Sequence, residues 1–402
     1  MKKKVVVIGG GAAGFFAAIN LAEQIEGKDI LMLEKTNQVL TKVKVSGGGR
    51  CNVTHACFEP KELSTYYPRG EKELLGPFHR FYTADTIAWF SDRGIELKVE
   101  EDGRMFPLSN SSQTIINCFL EERERKQIDL WSKAEVIKIS KPFHFLVELK
   151  DGQTVEAEKV IIACGGHAKS KHYEFIKEVG HTLIPPIPSL FTFNLKNHES
   201  NQLMGIAHEA SVKLVGTDLE EYGPVLFTHW GMSGPAILKL SAKGAKYLHE
   251  KNYQFDFEVC WFDQAEAFIQ LQRTDQAASK VRQSKPQDMS KRFWEYLLDR
   301  AKITPTQNWA DLDKSQLQRL AEVLLRDRYS ANGKTTFKEE FVTCGGVDLK
   351  EIEMKSMESK LIDGLYFCGE VVNVDALTGG FNFQAAWTTA WLAAQDISNK
   401  MI

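Results

Sequence analysis

The first apolar run, Val5 to Ile8, is continuous rather than alternating, as expected of a parallel strand covered on both faces. A glycine turn follows. Phe15, Phe16, Ala18, Ile19, Leu21 and Ala22 then recur at helical spacing. Ile30 to Leu33 reads as a second buried strand ending in Glu34, which closes a β-α-β unit of about 30 residues. Residues 60–130 read as mostly helical, with a turn at Asp102-Gly103. Val136 to Ile139 and Phe145 to Leu149 read as strands meeting near Pro142, and Val160 to Ala163 as a buried strand stopped by Cys164-Gly165-Gly166. Pro185-Pro186-Ile187-Pro188 reads as a linker or crossover, because prolines this dense continue neither a helix nor a sheet interior. Residues 190–262 alternate short strands and turns, and 264–330 are polar and helical. Buried-strand character returns at Leu365 to Gly369, and a long helix over 382–398 closes the chain. The pattern predicts one α/β domain made from both ends of the chain, with the middle inserted.

Composition narrows this little. The 402 residues carry a formal charge of −3, with 43% hydrophobic and 26% charged residues. That balance excludes a disordered chain, a collagen-like chain and a strongly basic nucleic-acid binder. The length suggests two or three domains. Seven cysteines are scattered without a Cys-x-x-Cys pair, which fits isolated thiols in a reducing cytosol. Lys2, Lys3 and Lys4 before an apolar run mimic a secretory signal, but Gly9, Gly10, Gly11 and Gly14 break the run at once. No apolar stretch approaches the roughly 20 residues a membrane helix needs. A cytoplasmic protein without membrane contact is the expectation.

Three segments carry chemistry. Gly9-x-Gly11-x-x-Gly14 sits between strand and helix. Its glycines permit a tight turn, close approach to a pyrophosphate and close helix packing, while the helix start at Ala12-Ala13 offers free N–H groups. Glu34 stands 20 residues beyond Gly14, where a carboxylate can accept from both hydroxyls of an adenosine ribose and disfavours a 2′-phosphate. The bland reading is a glycine turn without a ligand. Ser46-Gly47-Gly48-Gly49-Arg50-Cys51-Asn52 is the second segment. Successive glycines make sense where backbone lies flat against a ligand, with Arg50 and Asn52 as donors; a flexible loop is the alternative. The third runs from Gly369-Glu370 through Asp375 to Gly379-Gly380-Phe381-Asn382-Phe383. A helix starting there could stabilise negative charge on a reduced flavin, and Asp375 could bond a ribityl hydroxyl. Otherwise it is a helix start with a satisfied carboxylate.

Together these segments resemble the BaiN/YhiN-like bacterial flavoproteins, NAD(P)/FAD-dependent oxidoreductases related to aminoacetone oxidase-like proteins. The matching text is VVVIGGGAAGFFAA, LEK, KVSGGGRCNVTH, GRMFPLSNSSQTI, VIIACGG, FTHWGMSGPAIL, VTCGGV and GLYFCGEVVNVDALTGGFNFQAAW, spread from Val5 to Trp387. The resemblance implies bound FAD on a Rossmann-like domain with a parallel sheet, interrupted by a β-rich insert that itself carries a helical subdomain. The expected boundaries are 1–188 with 338–402, 189–263 with 331–337, and 264–330. It also implies a flavin between Ser46–Asn52 and Gly369–Asn382, cofactor roles for Lys35, Lys42 and Gly165, and an adenine contact at Val136. Two departures stand out. Asn373-Val374-Asp375-Ala376 replaces the usual Asp-(Val/Ile)-Asp-Gly, and Trp387-Thr388-Thr389-Ala390 replaces Trp-Ser-Ser/Thr-Gly. Ala376 is expected to add a methyl group near the flavin edge.

The expected activity is hydride transfer between flavin N5 and a small or steroid-like organic substrate, first of all NAD(P)H-driven reduction of an activated C=C bond. No second GxGxxG exists, so NAD(P)H is expected to reach the flavin transiently. His229 is a candidate acid or base and Arg104 a candidate for a substrate carbonyl or carboxylate. Cys51 beside Arg50 is a candidate activated thiol. No metal is expected. The alternatives are an O₂-using amine or aminoketone oxidase, an FAD-dependent RNA-modifying protein, and a flavin-binding protein without turnover. Nucleic acid is not expected. The bases from Lys280 to Lys302 are interleaved with Asp288, Glu295 and Asp299 and read as a solvated helical face. Oligomeric state is not readable.

Overall fold

The computed structural model describes residues 1–167, 169–304, 306–335 and 342–401. The chain forms two units, Met1–Ser189 with Phe337–Ile402, and Leu190–Thr336.

The first unit is built on a sheet whose centre is parallel. β1 (Lys2–Ile8) lies between β2 (Ile30–Glu34) and the strand Thr154–Ile162; Leu365–Phe367 extends the sheet beyond Thr154–Ile162, and Asp129–Ser132 beyond β2. Val5, Val6, Val7 and Ile8 are all buried, which accounts for their unbroken apolar run. The helix α1 (Ala12–Leu21) packs against the closing helix Phe381–Met401. Phe16 joins them, its ring 4.5 Å from Trp89 and 5.2 Å from Trp387. The C-terminal strand and helix therefore complete the core begun by the first 34 residues.

One expectation is extended and one corrected. Residues 60–130 carry the expected helices and the turn at Asp102-Gly103, and short strands as well. Beside the helices Pro60–Thr65, Glu71–Phe78, Thr83–Ser91 and Ser112–Arg125, Leu97–Val99 and Arg104–Pro107 form a hairpin about Asp102-Gly103, joined by Thr54–His55. Strands of two to four residues are too short to show a period. The proline segment is not a linker. Leu183–Ser189 pairs antiparallel with Val342–Val347. The register breaks between Ile184 and Ile187, so Pro185 and Pro186 fall where no ladder bond is needed.

Among the described residues the second unit holds a seven-stranded sheet in the order Asp327–Asn332, Gln254–Cys260, Ala207–Leu214, Glu220–Thr228, Gly231–Ser233, Thr192–Asn194, Lys334–Thr335. Helices Ala265–Asp275, Lys291–Arg300 and Lys314–Arg326 share one apolar core with it, centred on Trp261, Phe293, Trp294 and Leu320.

Candidate cofactor site

The turn after β1 is set by packing. Gly9 has φ +119° and donates to the Leu33 carbonyl at 2.8 Å. A Cβ on Gly9 would stand 2.3 Å from the Ala163 oxygen, and one on Gly14 would stand 1.9 Å from the Gly9 oxygen. Gly11 is different. Its φ is an ordinary −92°, and a Cβ there would meet nothing within 4 Å. Helix α1 has no side-chain cap and no acid in its first turn, so its first N–H groups are left to an anion. Glu34 faces this turn, accepting from Gly10 N at 2.9 Å and Thr36 N at 2.8 Å. The Ala134 N–H donates to the Glu34 carbonyl at 2.9 Å, which brings the start of the strand Val136–Ser140 beside the end of β2. Lys35 Nζ lies 3.2 Å from His167 Nε2. Burial, reinforced by Lys35 and His172, pushes the His167 ring down to about 3.

The second segment is set by conformation. The helix Thr41–Gly49 loses helical geometry at Ser46, and Gly47, Gly48, Gly49 and Cys51 then take φ of +57°, +69°, +83° and +62°. A Cβ on Gly48 or Gly49 would meet nothing within 4 Å. Arg50 Nη1 donates to Glu100 at 2.5 Å, and its guanidinium lies 3.9 Å over the Phe106 ring. Arg104 bonds Asp102 at 2.7 Å and the same Glu100 at 3.4 Å. These pairs pin the hairpin, so Arg104 is not the free substrate-binding cation the sequence suggested. Cys51 is no activated thiol either. It is fully buried, and burial pushes it up to about 12. Asn52 is buried, and its Oδ1 has no hydrogen-bond partner among the described residues.

The third segment closes on the other two. A Cβ on Gly380 would lie 2.5 Å from the Thr54 oxygen and 2.8 Å from Asn52 Oδ1. Trp387 Nε1 donates to Val53 O at 2.9 Å, and Thr54 Oγ1 to Gln384 Oε1 at 2.6 Å. Gly369 N donates to Thr389 Oγ1 at 2.9 Å. Glu370 gathers three distant stretches: it accepts from Thr343 N at 3.0 Å and Gly166 N at 3.3 Å, and pairs with Lys42. Gly165, at φ +72°, has nothing among the described residues within 4 Å of where a Cβ would be. Asp375 departs from expectation. It is fully buried and takes Arg69 in a two-point pair, Nε to Oδ1 at 2.6 Å and Nη2 to Oδ2, so its carboxylate holds Arg69 rather than facing a ribityl chain. Ala376 is also fully buried, its methyl in the core and not at an open edge. Asn382 clamps it, accepting from Ala376 N at 3.0 Å and donating to Ala376 O at 3.2 Å. Phe383 stacks on Trp387 at 5.5 Å.

Sequence reasoning passed over His55, Tyr66 and Arg69. His55 Nδ1 lies 3.0 Å from the Gly379 carbonyl and can only donate to it, which leaves Nε2 unprotonated in the neutral ring. Its ring stacks at 4.4 Å on Phe381, which stacks at 4.2 Å on Tyr66. Burial holds His55 below the usual histidine range. His55 lies inside the KVSGGGRCNVTH stretch, but spacing alone gave it no role. His229 belongs to the other unit, on the turn between Glu220–Thr228 and Gly231–Ser233, with its ring against Trp230. It is not among the side chains the first unit brings together.

These residues fit FAD. Gly11, Gly48, Gly49 and Gly165 are bare toward open space, α1 presents an uncapped positive end, and Asn52 keeps an orphaned acceptor. Such a lining admits a dinucleotide with its pyrophosphate at α1, as in other glycine-turn folds.

The comparisons agree. A family model described as "HI0933-like protein Rossmann domain" matches residues 3–396. The chain is 31% identical to the ribosomal RNA dihydrouridine synthase of Escherichia coli K12, over 96% of both chains. It is 26% identical to the 3-dehydro-bile acid delta(4,6)-reductase of Clostridium scindens, over 97% of both. Among solved structures it resembles 3-ketosteroid-delta4-(5alpha)-dehydrogenase from Rhodococcus jostii RHA1, with TM-score 0.53 and 13% identity, covering 99% of this chain and 97% of that one. At that identity the likeness speaks to fold alone. No helix among the described residues is long and apolar enough to cross a membrane. The chain belongs to the HI0933-like Rossmann family of FAD-dependent oxidoreductases.

Proposed function

We propose that the protein uses NAD(P)H to reduce a C=C bond conjugated to a carbonyl, and that the bond is the C5=C6 bond of uridine in ribosomal RNA. The observation that carries this reading is the agreement between two full-length relatives. One is named for making dihydrouridine in ribosomal RNA and the other for reducing unsaturated 3-dehydro bile acids. Both names describe the gain of two hydrogens across a ring C=C bond that a carbonyl activates. RNA is preferred because the E. coli relative is the more similar of the two. The expectation that no nucleic acid is bound gives way to this.

The bound flavin supplies the hydride chemistry. In balance, uracil C6 gains a hydride, C5 gains a proton, and NAD(P)H leaves as NAD(P)⁺. The chain's own residues hold and shape the site. Gly11 and the α1 N-terminus would hold the pyrophosphate, and the left-handed backbone of Gly48 and Gly49 would line the cradle without side chains. His55, held below the usual histidine range by burial, donates from Nδ1 to Gly379 and so fixes the glycine pair at the start of the closing helix. That helix has no acid in its first turn, and its positive end suits an electron-rich ring.

The test incubates FAD-loaded protein anaerobically with NADH or NADPH and ribosomal RNA lacking dihydrouridine. Nucleoside mass spectrometry should show dihydrouridine in proportion to the NAD(P)H consumed. Consumption with a steroid enone but not with RNA would overturn the substrate. Peroxide release with an amine under air, without enone or RNA reduction, would overturn the reaction.

A further inference from the structure

Apart from the cofactor site, the second unit carries a cavity of about 460 Å³ lined by Lys280, Arg282, Gln283, Lys285, Lys291 and Thr306. Four of its six lining residues are cations and none is an acid. We infer that this groove binds the phosphate backbone of RNA; the inference rests on the ribosomal-RNA reading above and extends it to a second place on the molecule.

The sequence suggested a solvated helical face, yet three of the four cations precede the helix. They stand on and around a short 3-10 turn, Val281–Gln283, pinned from beneath. Val281, Pro286 and Met289 are buried. Val281 N donates to Gln307 O at 3.0 Å, and the Val281 carbonyl accepts from the buried Trp294 Nε1 at 3.0 Å. With these anchors inward, Lys280, Arg282 and Lys285 are presented by a fixed backbone. Residues 280–292 hold five cations against one acid, Asp288, and Asp288 does not line the groove. Arg282 pairs with Glu295 through Nε, which leaves its terminal nitrogens for an oxyanion.

Folding does not account for this charge. Helix Lys291–Arg300 is capped by Ser290, whose Oγ accepts from Phe293 N at 3.3 Å, and has no acid in its first turn. It opens with Lys291 and Arg292, and cations at a helix N-terminus oppose its dipole. An anionic ligand would reverse that penalty. The lining holds no aromatic ring, so the groove is suited to phosphates rather than to stacked bases. Recognition there should be tolerant of sequence and sensitive to salt.

The test measures binding of a mixed-sequence single-stranded RNA oligonucleotide to the FAD-loaded protein by fluorescence anisotropy at several salt concentrations. The groove variant Lys280→Glu/Lys285→Glu/Lys291→Glu should bind at least about tenfold more weakly. Its plot of log K against log salt should flatten by about 2, from roughly 0.7 per lost phosphate contact. Lys213→Glu/Lys246→Glu/Lys314→Glu makes the same charge change elsewhere in this unit and should keep most of the affinity and slope. Flavin absorbance and melting temperature report folding, and single Lys285→Gln and Lys291→Gln variants should show smaller shifts in the same direction. Equal affinity and slope in the groove and control variants would overturn the site. So would loss of NADPH binding, but not RNA binding, in the groove variant. The two readings fail separately. Dihydrouridine made by a protein whose groove variant binds RNA normally would sink the groove alone. Groove-dependent RNA binding without dihydrouridine would sink the substrate alone.

Discussion

In the turn after β1, Gly9 and Gly14 leave no room for a methyl group, because backbone oxygens stand 2.3 Å and 1.9 Å from where it would be. In the turn over residues 46–52, Gly48 and Gly49 have room to spare but take left-handed backbone. One turn uses glycine to let protein meet protein, and the other to let the chain bend while keeping a face bare. Gly11 belongs to neither case. It has an ordinary backbone and an empty foreground, so nothing among the described residues asks for glycine there. The same residue type thus answers to packing at one position, to bending at a second and to neither at a third, and only substitution separates them.

The sharpest break is Gly14→Ala. Its methyl would collide with backbone rather than with a movable side chain. Destabilisation of about 3 kcal/mol or more is expected, with loss of bound flavin, read by denaturant midpoint and flavin absorbance. Next comes the charged side of the site. His167 is held at about 3 mainly by burial, so the folded state prefers the neutral ring. The unfolded chain binds the proton first as pH falls below 6.5. Stability is therefore complete above that value and declines through the window from 6.5 towards 3. The decline from 6.5 to 5 should reach up to about 2 kcal/mol, and His167→Gln should flatten it in urea midpoints taken against pH. Gly48→Ala should cost only about 1 kcal/mol, the price of a left-handed alanine, read by melting temperature. Gly11→Ala should move stability by less than about 0.5 kcal/mol yet weaken FAD binding about tenfold or more in calorimetry. If Gly11→Ala destabilises the flavin-free protein as Gly14→Ala does, the contrast between these glycines is wrong.

Much of the fold was legible because burial leaves a period. Val5 to Ile8 and Ile30 to Leu33 are continuous because both faces are covered, and the closing helix differs from its expected span by one residue at its start and three at its end. The proline strand was not legible. Prolines forbid a ladder bond, but they do not reveal a bulge that skips them. At the site, the glycines were readable by motif while their partners were not. Arg69 meets Asp375 across 306 positions, and Arg104 is taken up by Asp102 and Glu100. The first pairing leaves no trace in spacing, whereas the second, two and four residues away, stood in the local sequence. Cys51 looked reactive beside Arg50, but reactivity depends on exposure, which the pattern around one residue does not disclose.

The strand Leu365–Phe367 pairs with Thr154–Ile162, and Glu370 reaches back to Lys42. A nascent chain therefore makes its phosphate turn early and finishes the wall opposite it last. Until then Thr154–Ala157 is covered by Phe145–Leu149, while Val160–Ile162 present an open edge, a surface prone to pairing with other chains. Translation halted before Leu365 would release a polypeptide that contains every residue of the GxGxxG turn but lacks the strand and the Glu370 carboxylate that close on it.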